Sequence, residues 1–216
     1  MPMTWGILPI FAMAGAAAGL FTAFVLTRAA VPAPVPRGPV AAGTALLWLV
    51  VAWRWGAGAW PPWWLPVPLA VTTVAVPLVA ADLRHRRLPD VLTLPSYPLL
   101  GIVLGLAAVL GPGTGLAGRA VAAATVFGGL HLLAHTLARG SLGAGDVKLS
   151  GVLGAVLGAV SWTALVVAAV LAAVLTAVLA VSRRWHGGVP HGPGLLAATW
   201  LVSVFPAAEG QVGMGT

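Results

Sequence analysis

Of the 216 residues, 7% are charged and 60% are hydrophobic, and the mean hydropathy is +1.01. A water-soluble domain carries about 25% charged residues, so this composition excludes one and makes the lipid bilayer the solvent for most side chains. The net charge of +7 does not mark a nucleic-acid binder, because the cations sit in small groups between apolar runs rather than on one basic face.

The first apolar run, Trp5 to Leu26, is followed by Ala29-Ala30 and so invites a signal-peptide reading. No positive side chain precedes it, and it is long for a cleaved signal, which predicts a retained first span. A Pro-rich linker from Val31 to Pro39 leads to a short second run, Val40 to Trp53. Trp53, Trp55, Trp60, Trp63 and Trp64 then crowd one connection, as expected of rings anchored among lipid headgroups. Further runs follow at Leu65–Ala81, Leu92–Leu110 and Ala120–Ala138. The stretch Leu149–Val181 has no charged residue, and as one helix it would be about 50 Å long, against a hydrocarbon core of about 30 Å. A turn at Ser161-Trp162-Thr163 divides it in two. With a last run at Leu195–Phe205, the expectation is an all-α, polytopic transmembrane bundle of about eight spans. Residues 1–64 hold the first two spans and a short linker, and residues 65–216 form the helix bundle that carries the motifs.

Eight spans place Arg28, Arg37, Arg84, Arg86, Arg87, Arg139, Lys148, Arg183 and Arg184 on one face, nine of the eleven cations. Arg54 and Arg119 fall on the other. The excess of cations marks the first face as cytoplasmic and puts both termini outside. With no cysteine in the chain, disulfides and thiolate metal sites are excluded.

The acids are few: Asp82, Asp90, Asp146 and Glu209. Ionisable groups near membrane depth are costly, which makes each a functional candidate. Asp90 follows Pro89 at the start of a span and reads as a helix N-cap. Asp146 closes Gly143-Ala144-Gly145-Asp146, where two glycines permit close approach of backbone or substrate. Asp82 ends an apolar run at a helix C-terminus, where the dipole disfavours an anion unless Arg84, Arg86 or Arg87 offsets it. Held close, Asp82 and Asp146 would share one proton: the ionised carboxylate activates water and the protonated one donates to a scissile carbonyl. Helix termini alone cast Asp82 as the protonated member and Asp146 as the ionised one. The same aspartates could instead couple proton or cation flux in a small transporter.

Three segments resemble the type IV prepilin peptidases, within the wider Gly-x-Gly-Asp group of intramembrane aspartyl proteases. Asp82 followed by Leu88-Pro89-Asp90 is similar to the family's first catalytic segment. Gly143-Ala144-Gly145-Asp146-Val147-Lys148-Leu149 resembles its Gly-x-Gly-Asp-x-Lys-Leu, and Pro190-His191-Gly192-Pro193 its Pro-x-Gly-Pro. The resemblance covers roughly residues 65–205. It implies an aspartic endopeptidase in the cell inner membrane with Asp82 and Asp146 as the catalytic pair. Gly143, Gly145, Lys148, Asp90, Pro190, Gly192 and Pro193 shape the site at the cytoplasmic face. The implied substrates are prepilins or pseudopilins of type IV pilus and protein secretion systems, cut between a basic leader and an apolar helix without metal or other cofactor. Many members insert a cytoplasmic domain after the first span and also methylate the new N-terminus; the linker here is short and lacks cysteine, which implies a form without N-methylation. His131 and His135, one turn apart, read as inward polar residues rather than metal ligands. His85, His186 and His191 read as solvated loop residues.

Overall fold

The computed structural model of the chain describes residues 5–137, 142–182 and 188–206. Arg139, Arg183, Arg184, His186 and Glu209 lie outside the described residues. Regular structure among the described residues is helical throughout: α1 (Leu8–Arg28), α2 (Arg37–Gly56), α3 (Pro66–His85), α4 (Asp90–Thr93), α5 (Ser96–Leu110), α6 (Thr114–Leu137), α7 (Ala144–Val160), α8 (Trp162–Val181) and α9 (Gly192–Val204). Five segments are long and apolar enough to cross a bilayer: Leu8–Arg28, Pro62–His85, Asp90–Leu110, Thr114–Leu137 and Trp162–Val181. The chain is a multi-pass helical membrane protein. The expected eight spans need α2, α7 and α9 to cross as well, and these are shorter or less apolar than the five.

The turn between α7 and α8 falls where the length of the apolar stretch requires it. Ser161 is extended and its Oγ accepts from the Ala164 amide at 2.9 Å, capping α8. The run from Leu92 to Leu110 is not one helix. Pro95 has no amide hydrogen to continue α4, and the chain restarts at Ser96. Residues 29–36 alone connect α1 to α2, which leaves no inserted domain at that point.

The bundle has two distinct ends. At one, α3 finishes and α7 and α9 begin. His85 Nε2 bonds the Pro34 carbonyl at 2.8 Å and Arg87 donates to the Pro32 carbonyl, so the α1–α2 linker belongs to that end too. Arg28, Arg37, Arg84, Arg86, Arg87 and Lys148 all gather there. At the other end, Arg119 donates to the Gly158 and Ala159 carbonyls that close α7, and Arg54 donates to Val204 O at the end of α9. Among the described residues the cations therefore divide six to two between the ends.

The tryptophans overturn one expectation. Trp60 and Trp64 are buried, not headgroup anchors. Their indoles donate to Val204 O at 3.2 Å and Ser203 O at 3.0 Å. The last carbonyls of α9 have no partner within their own helix, and in an apolar medium each must find a donor. Trp53 is 51% exposed.

Because lipid is as apolar as leucine, helices in a bilayer associate by close packing of small residues. Helices α6 and α7 pack most extensively, and Gly158 marks how closely. A Cβ there would stand 2.2 Å from Ala123 Cβ and 2.8 Å from Arg119 O. Gly158→Ala is expected to destabilise the bundle by about 1–3 kcal/mol, read as a lower unfolding temperature in detergent.

Candidate active site

Two buried carboxylates meet where three helix ends converge. Asp82 stands in the last turn of α3, 5% exposed, and Asp146 in the first turn of α7, 7% exposed. The third end is the start of α9. A Cβ built on Gly192 would lie 2.7 Å from Asp82 Oδ2 and 3.3 Å from Asp146 Oδ1. Those two oxygens are therefore no farther apart than the sum of the distances, about 6 Å.

Local structure aims both groups. Gly143 is the N-cap of α7 and Asp146 the third helical residue. The Asp146 carboxylate takes a hydrogen bond from the Gly143 amide, one half of a capping box. Asp146 thus does not cap the helix from the N-cap position but reaches back to it. Its Oδ1 is buried with no hydrogen-bond partner among the described residues, and this is the oxygen turned toward Gly192. Buried polar atoms without partners are rare, and they recur where chemistry occurs.

Asp82 receives the Gly192 amide at the start of α9. The asymmetry expected from α3 and α7 alone is therefore offset: each aspartate now faces a helix N-terminus, which favours negative charge. After Asp82 the chain turns sharply. Arg86 adopts φ 54°, ψ 41°, in the left-handed region, and its amide caps α3 on Asp82 O at 2.8 Å. Glycine usually fills such a position, and a side chain there costs about 1–2 kcal/mol. Arg86 Nη2 donates to Gly188 O at 3.0 Å, which ties this turn to the segment ahead of α9.

The glycines of the second motif are needed for close approach. A Cβ on Gly145 would be 3.0 Å from Leu88 Cβ, and one on Gly143 would be 3.1 Å from Asp146 Oδ2. Leu88 stands in the first motif, but the sequence assigns it no role at the site. It is 7% exposed and packs against both Gly145 and Gly192, forming the apolar floor beneath the carboxylates. The available signal was a lone leucine inside the polar stretch Arg84 to Asp90.

Asp90 is not an N-cap. Pro89 holds that position and Asp90 is the first helical residue of α4. Its carboxylate pairs with Lys148, both oxygens 2.9 Å from Nζ. The pair is about half exposed, so Lys148→Met is expected to change stability by less than about 1 kcal/mol in thermal unfolding. Pro190, Gly192 and Pro193 are buried where the chain enters α9.

A cavity of about 220 Å³ opens on the carboxylates, lined by Asp82, Arg87, Leu88, Gly143, Asp146 and Lys148 among others. A larger one of about 640 Å³ shares Arg87, Leu88 and Asp90 with it and continues between residues 29–31 and Pro95. His131 and His135 are half-buried, bonding Phe127 O and Leu142 O at 2.8 Å each, and no group of three potential metal ligands occurs among the described residues. His191 is half-buried rather than solvated, its Nδ1 3.0 Å from Thr176 Oγ1. His85, half-buried as well, is bonded to the linker and not simply solvated.

The model of the Type IV leader peptidase family matches residues 69–181, more than half of the chain. The chain belongs to that family. The matched stretch of this leader peptidase spans α3 through α8 and includes Asp82, Asp90 and Asp146. The Pro190-His191-Gly192-Pro193 segment lies beyond it, so its place beside the aspartates is known from the fold and not from the match. No curated protein and no solved structure matches the chain.

Proposed function

We propose that this leader peptidase is an intramembrane aspartyl endopeptidase that cuts prepilin-like proteins between a basic leader and the following apolar helix. The observation that carries the reading is the placement of Asp82 and Asp146 on either side of Gly192. Two carboxylates this close do not both ionise cheaply, so the pair holds one proton. The ionised member takes a proton from a water molecule as the water oxygen attacks the scissile carbonyl carbon. The protonated member donates a hydrogen bond to the carbonyl oxygen, and its proton then passes to the leaving amine. Either aspartate can play either part, since both face helix N-termini. Lys148 and Asp90 set the rim of the site, and the larger cavity beside Leu88 receives the peptide that flanks the scissile bond.

The six cations at the aspartate end support a cytoplasmic position for that end, in a cell inner membrane, by the usual bias of cationic loops. With α2, α7 and α9 also crossing, the bundle has eight spans and both termini outside. The first two spans fall within residues 1–64 and the catalytic helices within residues 65–216. The alternative, transport coupled to the same aspartates, has no family match behind it.

The test is cleavage by the purified protein in lipid nanodiscs of a prepilin bearing a basic leader. Mass spectrometry is expected to show one cut at the leader–helix boundary. An intact substrate, or cuts scattered elsewhere, would remove the reading. The eight-residue linker between α1 and α2 supports a peptidase without methyl transfer. With S-adenosylmethionine present, the product N-terminus is expected to stay unmethylated, and a mass gain of one methyl group would count against this.

A further inference from the structure

We propose that His191 is a positioning residue whose hydrogen bond to Thr176 ties the entrance of α9 to α8 and so fixes the Gly192 amide on Asp82. The inference rests on the reading of Asp82 and Asp146 as the reacting pair.

Counting protons gives the direction of the bond. Thr176 Oγ1 donates its single hydrogen to Ala172 O, one turn earlier in α8, at 2.8 Å. With that hydrogen committed, the 3.0 Å contact between Thr176 Oγ1 and His191 Nδ1 fits the imidazole donating. Burial lowers the pKa of His191 from its ordinary value, which keeps the ring neutral at pH 7, with its one hydrogen on Nδ1. Near the ring lies His131 of α6, its centroid 6.2 Å away and its own Nδ1 bonded to Phe127 O.

The tie falls where α9 most needs one. The Gly192 amide belongs to the same rigid peptide plane as the His191 carbonyl, so anchoring residue 191 orients the donor that meets Asp82. Gly192 and Gly194 have no side chains with which to hold the backbone, and Pro193 contributes no amide. Gly194 also presses onto the same turn of α8: a Cβ there would be 2.6 Å from Ala172 O and 2.7 Å from Thr176 Oγ1. From the opposite side, Arg86 holds Gly188. The segment ahead of α9 is thus fastened to α8 by His191 and to the Asp82 turn by Arg86.

Four variants test this: His191→Ala, His191→Asn, Thr176→Val and Thr176→Ser. Asparagine places an amide hydrogen near the position of Nδ1–H, and serine keeps the acceptor. His191→Ala and Thr176→Val are expected to lower kcat on a prepilin about tenfold with KM nearly unchanged, while His191→Asn and Thr176→Ser recover most of it. Hydrogen exchange at the amides of residues 192, 194 and 195, measured without substrate, is expected to quicken about tenfold in the first two variants and to return toward wild type in the others. Unchanged exchange in His191→Ala, or equal losses in all four variants, would overturn the inference. Exchange does not depend on turnover, so the tie can be judged even if no prepilin is cut. Conversely, a wild type that cleaves beside a His191→Ala variant of full rate and unaltered exchange would remove the tie alone.

Discussion

Asp82→Asn and Asp146→Asn are each expected to slow prepilin cleavage about a thousandfold, because asparagine can neither take a proton from water nor supply one to the carbonyl. The change is nearly isosteric, and both side chains are buried between helices that pack through other residues. Removing one of two closely spaced, desolvated carboxylates also relieves repulsion and burial cost. Thermal unfolding temperatures of both variants are therefore expected to equal or exceed that of wild type. Loss of rate without loss of stability would distinguish a reacting pair from a structural one. A variant that keeps more than about a tenth of wild-type activity would exclude that aspartate from the chemistry.

The second large effect is expected at a residue with no side chain. In Gly192→Ala the new methyl would stand 2.7 Å from Asp82 Oδ2 and 3.3 Å from both Asp146 Oδ1 and Leu88 Cδ1. The first distance is too short for any Cβ, so either the carboxylate or the start of α9 must move. A displacement of about 1 Å from reacting geometry costs about a hundredfold in rate, and that loss is expected in kcat. Gly105→Ala on α5 is the control, since a Cβ there meets nothing within 4 Å. It should leave cleavage unaltered and slightly favour the helix. Equal rates for Gly192→Ala and wild type would mean that the α9 entrance does not bear on the carboxylates.

Much of the site was legible because its parts are local. Asp146 is expected at a helix N-terminus from its neighbours alone and stands in the first turn of α7, and its back-bond to the Gly143 amide spans only three residues. The misreadings concern partners far along the chain. Asp90 read as an N-cap because Pro89 precedes a helix start, yet its carboxylate turned to Lys148, 58 residues on. Trp60 and Trp64 read as headgroup anchors, but the carbonyls at the end of α9 lie 144 and 139 residues away. His191 read as a solvated loop residue because nothing near it in sequence hints at Thr176 on the neighbouring helix. Leu88, though part of the first motif, carried no role in the sequence for a similar reason: it lines the site only because Gly145 and Gly192 pack against it.

Residue order alone carried the solvent, the helical class, the turn at Ser161 and the three motifs behind the resemblance. These depend on composition, on run length against bilayer thickness and on neighbouring residues, all of which a linear string contains. The convergence of the end of α3 with the starts of α7 and α9, and the Gly192 amide on Asp82, emerged with the folded bundle. Helix ends are brought together by packing and by the need of each buried polar group for a partner, and that partner can sit anywhere in the chain.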